Sequence, residues 1–134
     1  MILFLRGLFL VVLASMLAVT TWASLQCPLF GVPRAVATHP WFIATLFDTY
    51  WAFVAFFIWV CFKQTTVAAR VAWFVGIMLL GNIAIAAYCL RELFSVSTTE
   101  PLSTVLTRRR EGFDLLGNLL AVAGVGVIAW ATLA

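Results

Sequence analysis

The sequence predicts an all-α protein, an integral membrane bundle of four transmembrane helices. Three observations predict it. Of 134 residues, 65% are hydrophobic and only 10% are charged, against roughly 25% charged in a soluble domain. A surface so poor in charge suits lipid better than water. Four apolar runs, each near the ~20 residues a helix needs to cross a bilayer, account for most of the chain. Trp22, Trp41, Trp59, Trp73 and Trp130 fall near the ends of those runs, where interfacial indoles concentrate. The length suits a single domain.

The first run is Leu5–Leu25. Arg6, the apolar residues to Val19 and Thr20-Thr21-Trp22-Ala23 imitate a cleaved secretory signal. The apolar stretch continues to Leu25, long enough to span, so a retained first helix is expected. Pro28, Gly31 and Pro33 then block regular structure in the loop Gln26–His39. Pro40 suits the first turn of the second run, Pro40–Phe62, because a helix does not need that N–H. Lys63-Gln64-Thr65-Thr66 is a tight polar link, so the second run and the third, Ala68–Leu90, should form an antiparallel pair. Arg70 can snorkel to the headgroups. In the polar stretch Arg91–Asp114, Leu102, Val105 and Leu106 stand at helical spacing before Arg108, Arg109 and Arg110. One reading is a short interfacial helix before the fourth span, with the three arginines on lipid headgroups. The other is a disordered loop carrying a basic topology signal. The fourth run is Leu115–Leu133.

Helix association in lipid relies on close packing and polar contacts. Gly117, Ala121 and Gly124 make a small-residue groove in the fourth run. Gly7, Ala14 and Ala18 do so in the first, and Gly76 and Gly81 in the third. Asp48 is the most unusual residue, an acid about eight positions inside an apolar run. On translocon scales an aspartate at mid-bilayer costs roughly 2.5–3.5 kcal/mol, and such residues generally face a protein interior or a watery cavity. Ala44, Thr45, Trp51, Ala52 and Ala55 share its helical face, which is expected to turn inward. Ser15, Asn82 and Asn118 can reach similar depths from the other runs, though a serine can bond its own helix. The candidate polar centre is therefore Asp48, Asn82, Asn118, Trp51 and Tyr88. It is either an interhelical clamp, each contact worth about 0.6–2 kcal/mol, or a pocket for a ligand or proton.

Four crossings would place Arg34, Arg91, Arg108, Arg109 and Arg110 on one side, and Arg6, Lys63 and Arg70 on the other. The positive-inside rule then favours both termini outside, in a bacterial inner membrane, with dual topology left open. Cys27 and Cys89 would share one face, with Cys61 at the other; a disulfide between the first two requires that face to be oxidising. No C-x-x-C occurs and His39 stands alone, so no metal or cofactor is expected. The net charge of +3 with basic residues near run ends suits anchoring to the bilayer, not nucleic-acid binding.

The stretch His39-Pro40-Trp41-Phe42, Ala44-Thr45-Leu46-Phe47-Asp48-Thr49-Tyr50-Trp51, Trp59-Val60, Lys63, and Ala69 through Ala84 resembles a family of small multi-pass membrane proteins of plants and bacteria. That family is classed as a domain of unknown function. The resemblance covers about the first two-thirds of the chain, stops before Thr98, and implies membrane integration without an activity.

Three functions fit these residues. The leading one is a structural or accessory membrane protein without chemistry of its own, since no phosphate loop, metal cluster or nucleophile with a base is present. The second is a small oligomeric carrier exchanging a proton for a cation at Asp48. In size it resembles small multidrug-resistance exporters, but those use a glutamate in the first span. The third is a lipid- or isoprenoid-modifying enzyme, with Asp48 as acid and Trp51, Trp59 and Tyr88 around a carbocation. The further partner in each case is a second copy or another membrane protein.

Overall fold

The apolar runs fold as helices whose ends are fixed by local chemistry. The structure, a computed structural model, describes residues Met1–Ala134. It contains α1 (Ile2–Gln26), α2 (Arg34–Ala37), α3 (Pro40–Lys63), α4 (Val67–Leu80), α5 (Asn82–Phe94), α6 (Leu102–Thr107) and α7 (Leu115–Leu133). Pro40 opens α3, and His39 Nδ1 accepts from the Trp41 amide at 3.3 Å. The Thr66 hydroxyl caps α4 through the Ala69 amide, and the Asp114 carboxylate caps α7 through the Gly117 amide. Each cap satisfies an amide that the helix itself leaves without an acceptor.

Three helices, α1, α3 and α7, are long and apolar enough to cross a membrane. The third expected span is not one helix. It breaks at Gly81, where φ is +56° and ψ −127°, and α5 turns back toward the Lys63 end. The rings of Trp73 and Tyr88 lie 4.7 Å apart, although a continuous helix would separate those positions by roughly 22 Å. Lys63 likewise pairs with Glu92. Only glycine adopts such a backbone without strain, and the Phe53 ring closes the space: a Cβ on Gly81 would stand 2.8 Å from its Cζ. With 14 and 13 residues, α4 and α5 are each roughly 20 Å long, short of a ~30 Å hydrocarbon core.

Two apolar clusters hold this arrangement. Phe53 and Val60 of α3, Trp73 and Ile77 of α4, and Ala84 and Tyr88 of α5 form the main one, with Leu116 and Leu120 of α7 against it. The small-residue groove of α7 is used as its pattern implies. A Cβ on Gly117 would meet Trp73, and one on Gly124 would meet Leu79, while Gly76 faces Leu120 and Ala121. α1 is different: Gly7 has nothing near it, Ala14 and Ala18 are exposed, and Ser15 bonds only its own helix at Val12. Instead Ile2, Leu5 and Phe9 of α1 pack against Leu93, Val96 and Val105. The segment Leu102–Thr107 is indeed a helix, but its buried face rests on protein.

The reversal at Gly81 rearranges the charges. Arg6 donates to the Leu93 and Val96 carbonyls, Arg70 to Gln64, Arg108 to Ser95 and Arg109 to Phe62. Lys63 and Arg110 pair with Glu92, and Arg91 with Asp114. Seven of the eight lysines and arginines thus gather at one end, and Arg34 alone sits elsewhere. The expected split of five against three assumed that the third run is one continuous helix, whereas it breaks and turns back at Gly81. The cysteines re-sort for the same reason. Cys61 and Cys89 stand near the basic end and Cys27 at the far end of α1, and all three are free thiols.

Candidate functional site

The polar centre of the protein lies at the basic end, where α3, α4, α5 and α7 meet. Four side chains build it: Lys63 ends α3, Arg91 and Glu92 sit in the last turn of α5, and Asp114 caps α7. Glu92 is 1% exposed. It accepts from Lys63 Nζ, from Arg110 Nε, and from Arg91 at 3.1 Å. Lys63, equally buried, also donates to the Val105 carbonyl and runs beside the Trp59 indole, 5.1 Å from its ring. Buried charges persist only where they are paired and hydrogen-bonded, and here no buried side-chain nitrogen or oxygen lacks a partner.

Arg91 links the two acids. Its guanidinium bonds Glu92 and Asp114 and lies about 5 Å from the Trp73 and Tyr88 rings. Asp114 also accepts from Trp73 Nε1 at 2.8 Å and from the Gly117 amide at 3.0 Å. Burial alone would raise the Asp114 carboxyl. The donors from Arg91, Trp73 and Gly117 outweigh it and hold the group below the usual carboxylate range. Main-chain bonds close the end: Arg110 N–H donates to Lys63 and Thr65 N–H to Arg110, at 2.8 and 3.1 Å. Below this layer Gln64 Nε2 reaches the Tyr88 hydroxyl at 3.5 Å.

A cavity of about 510 Å³ opens beside the network, its charged wall made by Arg91, Arg108, Arg109, Arg110, Glu111 and Asp114. The first turn of α7, at Leu115 and Leu116, completes it.

Of the centre expected around Asp48, the structure brings only Tyr88 into a polar cluster, and a different one. Asp48 and Trp51 are exposed on the outer face of α3, and Asn82 is exposed at the start of α5. Asn118 is half-buried and spends its Nδ2 on the Asp114 carbonyl of its own helix, at 2.7 Å. No hydrogen bond joins Asp48, Asn82 and Asn118. The expected inward turn of the Asp48 face is therefore corrected within the single chain: α3 turns Phe53 and Val60 to the core instead. The aromatic cage is not assembled either. Trp59 and Tyr88 meet edge-to-face at 5.4 Å, but Trp51 joins neither. Arg108 and Arg109 are exposed and Arg110 half-buried. Lys63, Arg91, Glu92, Asp114 and Trp73 were not expected as a site. Their signal was the Arg91-Glu92 pair directly after an apolar run.

A family model described as protein of unknown function, DUF1475, matches residues 1–116. The chain belongs to this family. The DUF1475 match runs past Thr98, so it takes in Arg108, Arg109 and Arg110 and ends in the first turn of α7. Every member of the Lys63–Glu92–Arg91–Asp114 network lies inside it. No curated protein and no solved structure matches the chain.

Proposed function

We propose that this DUF1475 chain is a multi-pass integral membrane protein of structural or accessory role, without catalysis of its own. It crosses a bacterial cell membrane three times, through α1, α3 and α7, with the α4–α5 pair dipping in from one face. The observation that carries this reading is the buried network at the basic end, in which every charge is paired. A fully satisfied network ties helices together and leaves no free acid or base for proton transfer. With seven cations at one end and one at the other, the positive-inside rule puts the amino terminus and the basic end in the cytoplasm and the carboxyl terminus outside. This moves the amino terminus to the side opposite the one expected from four crossings, while the carboxyl terminus stays outside. Arg108 and Arg109 lie at the level of the headgroups and contact lipid phosphates.

Paired reporter fusions at Ala134 test the orientation. A periplasm-active phosphatase should work there and a cytoplasm-dependent fluorescent protein should stay dark. A bright fluorescent fusion would overturn it.

An oligomeric carrier is the second reading. It is favoured by Asp48 beside an apolar groove of about 420 Å³ lined by Leu46, Phe47, Tyr50, Trp51 and Val54. Asp48→Asn separates the two. As an accessory protein, the variant should assemble and restore every phenotype of a deletion strain. Loss of a pH-dependent substrate flux in vesicles, with assembly intact, would support the carrier and sink the accessory reading.

A further inference from the structure

The cavity beside the network has donors that the protein does not use. Arg109 spends Nε on the Phe62 carbonyl and Arg110 spends Nε on Glu92, so both are held by the inner nitrogen. Their terminal nitrogens meet no protein acceptor. Arg108 spends only Nη1, on the Ser95 carbonyl. The Phe62 ring further fixes Arg109, its guanidinium 5.1 Å from the centroid. A guanidinium held this way presents a planar fork, the geometry that matches phosphate oxygens two at a time.

Charge points the same way. Four arginines face two acids on the cavity wall, Glu111 and Asp114, which leaves two positive charges uncompensated there. Lys63 and Glu92 behind the wall cancel one another. A phosphate monoester carries about −1.5 to −2 at neutral pH, so it balances that excess, whereas a carboxylate or a diester balances half. The first-turn amides of α7 at Leu115 and Leu116 have no acceptor within the helix and add the positive end of its dipole. The size, about 510 Å³, falls in the ordinary range of small-molecule sites.

We propose that Arg108, Arg109 and Arg110, with the amino-terminal turn of α7, form a binding site for a phosphate monoester. Beyond the headgroup contact above, the site selects a dianion with three free oxygens. Two sources carry that group: a soluble phosphate monoester, for which inorganic phosphate serves as the probe, or a lipid whose headgroup is a bare phosphate. The lipid source alone rests on the membrane placement proposed above.

The full chain is tested in two arms, wild type against Arg108→Gln/Arg109→Gln. Both residues are exposed and bond only main-chain carbonyls through the nitrogens named. If the double variant loses helicity, Arg109→Gln alone replaces it. In the first arm, inorganic phosphate is titrated calorimetrically into protein in neutral detergent. In the second, nanodiscs of phosphatidylcholine carry a tenth of either phosphatidic acid or phosphatidylglycerol, and native mass spectrometry counts retained lipid. Saturable phosphate binding, at least tenfold weaker in the variant, supports the site with a soluble ligand. Retention of phosphatidic acid over phosphatidylglycerol, lost in the variant, supports it with a lipid ligand. Binding of neither probe, or binding that the variant leaves unchanged, overturns the proposal. Failure to enter nanodiscs counts against the membrane reading, while the detergent arm still reads the pocket.

Discussion

Glu92→Ala will destabilise the protein by about 3–5 kcal/mol, the usual cost of breaking a buried ion pair from one side. Glu92 is the common acceptor for Lys63, Arg91 and Arg110. Its removal strands Lys63, which is fully buried and has only the Val105 carbonyl left. Arg110 loses its only side-chain acceptor, while Arg91 keeps Asp114. The loss should show in denaturant titration of the protein in mixed micelles. Lys63→Met sharpens the test. Methionine keeps the apolar stem against Trp59 and removes the stranded charge. The pair Lys63→Met and Glu92→Ala should therefore be less damaging together than the sum of the two singles, by at least 1 kcal/mol of coupling. Additive effects, or a Glu92→Ala loss below about 1 kcal/mol, would mean that the network does not hold the helices.

That network also shows what the sequence made legible. The three long helices, the Pro40 start and the small-residue groove of α7 all followed from local patterns: apolar run length, a proline without its N–H, and glycines at helical spacing. Such signals are read within one segment. The site could not be read that way. Each of its charges stands at the end of an apolar run, where a lone Lys63 or Arg91 looks like an ordinary snorkelling residue. Their meeting depends on which ends share a membrane face. One assumption, that the third run crosses, put Lys63 and Glu92 on opposite faces. Asp48 misled for the opposite reason. Its cost in lipid is a strong argument for cover, but cover by the same chain requires its helical face to turn inward, and α3 turns its other face, with Phe53 and Val60, to the core.

The reversal at Gly81 thus decides the site, and Gly81→Ala should undo it. Two separate effects add. An L-residue at φ +56°, ψ −127° is held in a sparsely populated region, which costs roughly 1–3 kcal/mol. Its Cβ also enters the Phe53 ring, at 2.8 Å from Cζ and 3.2 Å from Cε2, and overpacking of this kind costs typically 1–3 kcal/mol. The expected loss is about 2–6 kcal/mol, with lower protection of Trp73 and Tyr88 from solvent. Phe53→Leu in the same chain separates the two effects. It shortens the obstructing side chain and should recover the packing part only, leaving the backbone part in place. Complete recovery would mean that the backbone at Gly81 tolerates a side chain and that space alone forces the glycine. No loss at all in Gly81→Ala would mean that α4 and α5 can run on as one helix. The Lys63–Glu92 pair could not survive that, because a straight helix carries Glu92 roughly 38 Å beyond the start of α4.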